Sequence, residues 1–317
     1  YKRPNPTEFD AAVNTSYANM SQSKENSSRL DAMVNVPLGD SAAFRVTAWT
    51  SETAGFIDNL TPVEDDYNTG KSTGVRAALL FEGETWSINT SIHHSKQESE
   101  GGGSTFEAYR TLRARLPGLP PESQDEVSIY SLDVEKDFGW ATLHSLTSYT
   151  DRTVDSINEG SADGAALLDF FYFGATDAGG HESCASAALV GASLGIPGLC
   201  PNWPGLLNTG GPAFTPDGRN VLAISSVSDF YTKQWVQEFR LISPSDQRLR
   251  WIVGAFWKDS EDHTGGNQTA GYYPGRDAAR AAFDPLLVGN PANNHNDFIE
   301  QYAVFGEVSY DLTDTLE

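Results

Sequence analysis

The sequence predicts an all-β protein: an up-and-down antiparallel transmembrane β-barrel, of which this chain carries about ten strands. Three observations predict it. Apolar and polar residues alternate with a period of two along successive segments, as in strands with one greasy and one wet face. Short and long connections between those segments alternate without exception, and aromatic residues gather at the segment ends.

Composition sets the bounds. The chain has 317 residues, 39% of them hydrophobic and 11% aromatic, with a mean hydropathy of −0.39. No uncharged apolar stretch approaches the roughly 18 residues of a membrane helix, which excludes a helical membrane protein. A barrel is not excluded, because its strands turn only every second residue to lipid. Basic residues number 21 against 43 acidic ones, a net charge of −22, which argues against a nucleic-acid partner. The chain opens on Tyr1-Lys2-Arg3-Pro4, without an initiator Met or a signal-peptide pattern, so it reads as a mature piece or fragment.

The strands are expected at 8–18, 29–38, 42–52, 73–82, 85–96, 126–136, 140–153, 230–243, 248–260 and 298–311. The second shows the pattern plainly: Leu30, Ala32, Val34, Val36 and Leu38 alternate with Asp31, Met33, Asn35 and Pro37. Phe44, Val46 and Ala48 alternate with Arg45 and Thr47, Ile88 and Ile92 with Asn89 and His93, and Leu132 and Val134 with Asp133 and Glu135. Most segments match the 9–11 residues that a tilted strand needs to cross a bilayer. Leu30, Val34, Val46, Ile88, Ile92, Leu132, Val134, Trp251 and Val253 are therefore expected to point outward as one belt.

Gly39-Asp40-Ser41, Gly83-Glu84, Asp137-Phe138-Gly139 and Pro244-Ser245-Asp246-Gln247 read as tight hairpins. The connections at 19–28, 53–72, 97–125, 154–229 and 261–297 are longer. All short turns thus fall at one end of the sheet, periplasmic in an outer-membrane barrel, and all long loops at the extracellular end. Short helices are expected at 186–194 and after an Asp277 N-cap, ending at Pro285. Cys184 and Cys200, close together in a Gly/Pro-rich stretch, are expected to form a disulfide in an oxidising compartment. An open curved sheet follows, with the first and last strands not paired to each other.

Phe9, Phe44, Phe81, Trp86, Trp140, Trp251 and Tyr310 lie beside the short turns, and Tyr17, Tyr149, Trp235 and Trp257 towards the loops, as two interfacial girdles would require. Trp49 has the parity of the wet face and stands apart from both.

Several stretches resemble TonB-dependent receptors. Lys2-Arg3-Pro4 resembles the end of that family's plug, and Arg29-Leu30-Asp31 to Leu38 followed by Phe44-Arg45-Val46 its first periplasmic hairpin. Gly55-Phe56-Ile57-Asp58-Asn59 is similar to the segment after it. Gln237-Glu238-Phe239-Arg240-Leu241 followed by Trp251-Ile252-Val253-Gly254, and Phe305-Gly306-Glu307 to Tyr310-Asp311-Leu312-Thr313-Asp314, resemble two further elements of the family. The resemblance implies that residues 1–7 end a plug or linker and 8–317 form part of the barrel. The plug, the TonB box and roughly half the strands of a 22-stranded transporter lie outside the sequence. It also implies an outer-membrane receptor of a Gram-negative bacterium, taking up a ferric siderophore or similarly bulky nutrient. The TonB–ExbB–ExbD complex would be its partner, through the plug.

No catalytic constellation stands out, no cofactor is implied and no metal site is assigned: Glu64-Asp65-Asp66 fall in a loop, and His93 and His94 must point to opposite faces. Asp259, Glu261, Asp262 and His263 are the one cluster with cation-binding residue types. On the receptor reading, ligand contacts fall to Trp203, Phe214, Tyr272, Tyr273, Arg276 and Arg280, because aromatics and arginines stack on and pair with catecholates, carboxylates and sugars. A passive porin or adhesin barrel is the alternative, and a soluble glycan-active β-protein a more distant one.

Overall fold

The computed structural model describes residues 2–21, 23–60, 63–101, 113–114, 121–159, 221–273 and 294–311. Ten strands form one sheet: β1 (Asp10–Asn19), β2 (Asn26–Pro37), β3 (Ala42–Thr53), β6 (Gly70–Gly83), β7 (Trp86–Glu100), β9 (Glu122–Asp137), β10 (Thr142–Glu159), β11 (Val221–Ile242), β12 (Leu249–Tyr273) and β13 (His295–Tyr310). Every neighbour pair is antiparallel and in sequence order. The sheet is open, with β1 and β13 at its two edges.

Turn chemistry fixes this order. Leu38 N–H donates to the Ala42 carbonyl at 2.8 Å and Phe138 N–H to that of Ala141 at 2.9 Å, closing two hairpins. Each needs a left-handed residue and each has a glycine for it, Gly39 at φ 132° and Gly139 at φ 82°. Gly139 N–H also donates to the Asp137 carboxylate at 2.7 Å, which stiffens the turn.

Two features depart from expectation. β10 runs to Glu159, β11 starts at Val221 and β12 continues to Tyr273, so ordered strand reaches well into the connections expected at 154–229 and 261–297. Above a membrane both faces of a strand meet water, so the alternation that marks the lower strand disappears although the ladder continues. A small second sheet is also present, β4 (Asp58–Leu60), β5 (Val63–Glu64) and β8 (Arg113–Ala114), drawn from the connections after β3 and β7. Strands of two or three residues carry no periodicity to read. The expected helices at 186–194 and after Asp277 lie outside the described residues.

Candidate functional site

The two faces of the sheet differ in kind, and the segment before β1 marks which is which. Asn35 is fully buried; its Oδ1 accepts from Asn5 N–H at 2.9 Å, and its amide donates to the carbonyls of Asn5 and Glu8, both at 2.8 Å. The Arg3 guanidinium reaches the Asp133 carboxylate on β9 at 2.6 Å. Residues 3–8 therefore lie against the face that carries the odd positions of β2 and β9.

That face carries many polar pairs, with apolar residues such as Leu80, Leu146, Phe256 and Phe305 among them. Arg29 holds Asp31 through contacts of 2.6 to 3.1 Å, Arg152 holds Asp125 at 2.6 and 2.9 Å, and Arg240 pairs with Glu238. Asp262 accepts from Thr232 at 2.7 Å and from Ser260 at 3.1 Å. Trp49 belongs here as its parity requires. Its indole stacks on His93 at 5.6 Å and lies over Gly74, its register partner, where any Cβ would stand 2.1 Å from the ring.

The opposite face is largely apolar and exposed, interrupted by the hydrogen-bonded Ser145, Thr147 and Gln237. Phe9, just before β1, and Val13 and Tyr17 on it are 66–71% exposed, and Leu30, Ile92, Leu132 and Val253 are exposed with them. Val34, Val46, Ile88, Val134 and Trp251 share this parity through the strand register. Aromatics border it on two sides: Tyr130, Tyr149 and Trp235 contact one another at 6.3 and 4.7 Å, and Trp140 and Trp251 at 6.4 Å near the turns. Tyr149 lies nine positions on from Trp140; at about 3.4 Å per step on a strand tilted about 40°, that is about 23 Å of height, close to the roughly 25 Å apolar band of an outer-membrane barrel. The ion pairs of this face, Lys96–Glu98, His94–Glu126 and His263–Asp229, lie on the loop side of the aromatic row.

At the loop end the described residues pack locally. Asn68 Oδ1 accepts from the N–H groups of Phe56 at 2.8 Å and Ile57 at 2.7 Å, seating Ile57 against Tyr67. Lys24 donates its backbone N–H to Asp66 at 2.6 Å and its ammonium to Asp65, whose hydrogen bond and charge hold the Lys24 pKa above its ordinary value.

The ligand residues expected from sequence fall mostly beyond this frame. Tyr272 and Tyr273 end β12, opposite Leu222 and Val221 of β11. Trp203, Phe214, Arg276, Arg280, Cys184 and Cys200 lie outside the described residues. Asp262 points to the polar face and Asp259, Glu261 and His263 to the other, and no metal-binding cluster occurs among the described residues. His93 and His94 point to opposite faces as expected: His93 stacks on Trp49, and His94 contacts Ser128. Sequence reasoning did not single out Asn35 or the Arg3–Asp133 bridge, although the polar parity of both strands marked the face they share.

Solved structures place this architecture. The siderophore receptor PiuA of Acinetobacter baumannii superposes with a TM-score of 0.55 at 13% identity over 98% of this chain. The ferric yersiniabactin uptake receptor FyuA of Yersinia pestis superposes with a TM-score of 0.56 at 10% identity over 99%. The sheet has the fold of a siderophore-receptor barrel. The chain spans less than half of either receptor, 41% of the first and 46% of the second. Both neighbours are receptors rather than enzymes. No protein-family profile and no curated protein sequence matches the chain. In a barrel of this kind the polar face lines the lumen and the apolar face meets lipid.

Proposed function

We propose that the chain is part of a TonB-dependent receptor of a Gram-negative outer membrane that imports a ferric siderophore or a similar iron complex. One observation carries this reading: residues 3–8 enter β1 along the polar face, pinned at Asn35 and Asp133, while the apolar face stays bare. A channel with an unobstructed lumen has no need of such a segment, whereas a plugged transporter leads its plug into the first strand there. On this reading residues 1–7 end a plug or linker, residues 8–317 belong to the barrel, and energy reaches the plug from the TonB–ExbB–ExbD complex. Trp203, Phe214, Tyr272, Tyr273, Arg276 and Arg280 contribute ligand contacts at the extracellular end. Cys184 and Cys200 form a disulfide there, so free-thiol labelling of unreduced protein fails at both.

The test is growth. A deletion strain under iron limitation, fed a panel of defined ferric siderophores, should lose growth on at least one and regain it on complementation. Unimpaired growth on the whole panel, with the protein absent from the outer-membrane fraction, would reject the proposal.

A further inference from the structure

One stretch of the apolar face is not a smooth belt. A trough of about 440 Å³ crosses it, following a single register row over five strands: Phe44, Leu79, Thr90, Leu132 and Thr147. The next row on the loop side holds Ile92, Tyr130, Tyr149 and Trp235, whose bulk forms one wall. The face falls away where its side chains are small, at Thr90, Thr147 and the neighbouring Ala77. The floor is backbone, because Ser91, Ser131 and Ser148 turn to the lumen, where the hydroxyls of Ser91 and Ser131 meet at 2.7 Å. The trough climbs across the belt: Phe44 stands three positions past Ser41 in its turn, and Thr147 eight past Gly139 in its own. No charged side chain lines it. Its threonine hydroxyls are engaged, Thr90 donating to the Ser131 carbonyl at 3.2 Å and Thr147 to Gln237 Oε1 at 2.5 Å.

We propose that this trough is a docking site for one linear acyl chain of a lipid in the loop-side leaflet. It lies within the belt that meets lipid, so its neighbours are acyl chains before they are anything else. Lipid tails are as apolar as leucine, and burial alone therefore gives no preference for one chain over another. Shape does. An unfilled gap beside the wall forfeits dispersion contacts, and a chain of methylenes can follow the backbone floor between the Ile92 and Leu132 side chains. A chain with methyl branches is too wide for that floor and bridges the gap instead. A second copy of the chain cannot fill it either, because two barrel walls are both convex outward and touch along a line. The site rests on the lipid-facing assignment of this face and is independent of what the protein transports.

The probe is phosphatidylcholine carrying a diazirine midway along one linear acyl chain, in vesicles that hold the protein purified from outer membranes. After illumination, peptide mapping should find the trough residues labelled about threefold more than Leu30 and Val253 of the open belt. Dilution with unlabelled linear phosphatidylcholine should lower both in parallel. Dilution with methyl-branched diphytanoyl phosphatidylcholine should lower the belt in proportion and the trough about threefold less. Ala77→Phe fills the trough and should bring its labelling down to that of the belt, with heat-modifiable electrophoretic migration reporting an intact barrel. Thr90→Leu should do so in part, which keeps the test open if Ala77→Phe misfolds. Labelling of the trough no higher than that of the belt, equal falls with the two diluents, or labelling unchanged in both variants would overturn the proposal. Trough labelling that disappears as protein density rises at constant lipid composition would also overturn it, in favour of a second copy seated there.

Discussion

Gly254 and Phe305 face each other across β12 and β13, and a Cβ on residue 254 would stand 2.2 Å from Phe305 Cζ and 2.9 Å from the Phe239 carbonyl oxygen. The ring occupies the space that the glycine leaves, so three neighbouring strands interlock at one point. Gly254→Val should cost roughly 1–3 kcal/mol through overpacking, read from urea equilibria in detergent. Adding Phe305→Ala should recover only part of the loss, because the Phe239 backbone cannot withdraw as a side chain can. A Gly254→Val protein as stable as the parent would refute the interlock.

This pair also marks how far the sequence could be read. Trp251-Ile252-Val253-Gly254 and Phe305-Gly306-Glu307 are visible in sequence as separate strings; that they form one packing unit depends on register, which alternation and turn length constrain without naming contacts. Faces were legible for the same reason that membranes need them: Val34 and Asn35 cannot exchange sides without a one-residue slip. The Asn35 cradle was not legible, since an asparagine that binds the preceding segment and one that merely meets water obey the same parity. Nor was the upper part of β12, from Glu261 to Tyr273, where neither face has to be apolar.

Asn35 should matter more than the bridge beside it. It is fully buried and makes one bond as acceptor and two as donor. Asn35→Ala leaves the Asn5 and Glu8 groups without those partners, a loss of about 1–3 kcal/mol. The Arg3–Asp133 pair is half exposed, with side chains 47% and 27% accessible, so Asp133→Asn should change stability by under about 1 kcal/mol. Protease sensitivity near residues 2–8 separates the two, rising in Asn35→Ala; the reverse ranking would contradict this assignment.

Face assignment can be tested at adjacent positions of one edge strand. Val304 is 83% exposed on the apolar face, and Ala303 points to the other. Val304→Arg should cost about 2–4 kcal/mol for refolding into vesicles if the site lies near the midplane, whereas Ala303→Arg should cost far less. In detergent-free urea both unfolded chains solvate the arginine alike, so the difference reports the folded state. Equal costs would mean that the belt runs along the wrong face.

Acid should loosen the last strand at its turn end. Arg250 on β12 donates to both carboxylate oxygens of Asp311 at 2.6 and 2.9 Å, just beyond β13. The hydrogen bond from Arg250, with its charge, holds the Asp311 carboxyl below the usual carboxylate range. The sign follows from linkage: a carboxyl lowered in the folded state binds its proton first in the unfolded one. The contribution of this pair is therefore complete at neutral pH, begins to fall near the ordinary Asp value of about 3.9, and is gone below the lowered one. Backbone hydrogen exchange along the edge strand, followed in detergent as the pH is lowered through that range, should rise at its Asp311 end before its His295 end after correction for intrinsic rates. Asp311→Asn should remove the pH dependence and leave that end loose at every pH. If exchange at the two ends rises together, or the asparagine variant keeps the acid response, then Asp311 and Arg250 do not clamp β13 to β12.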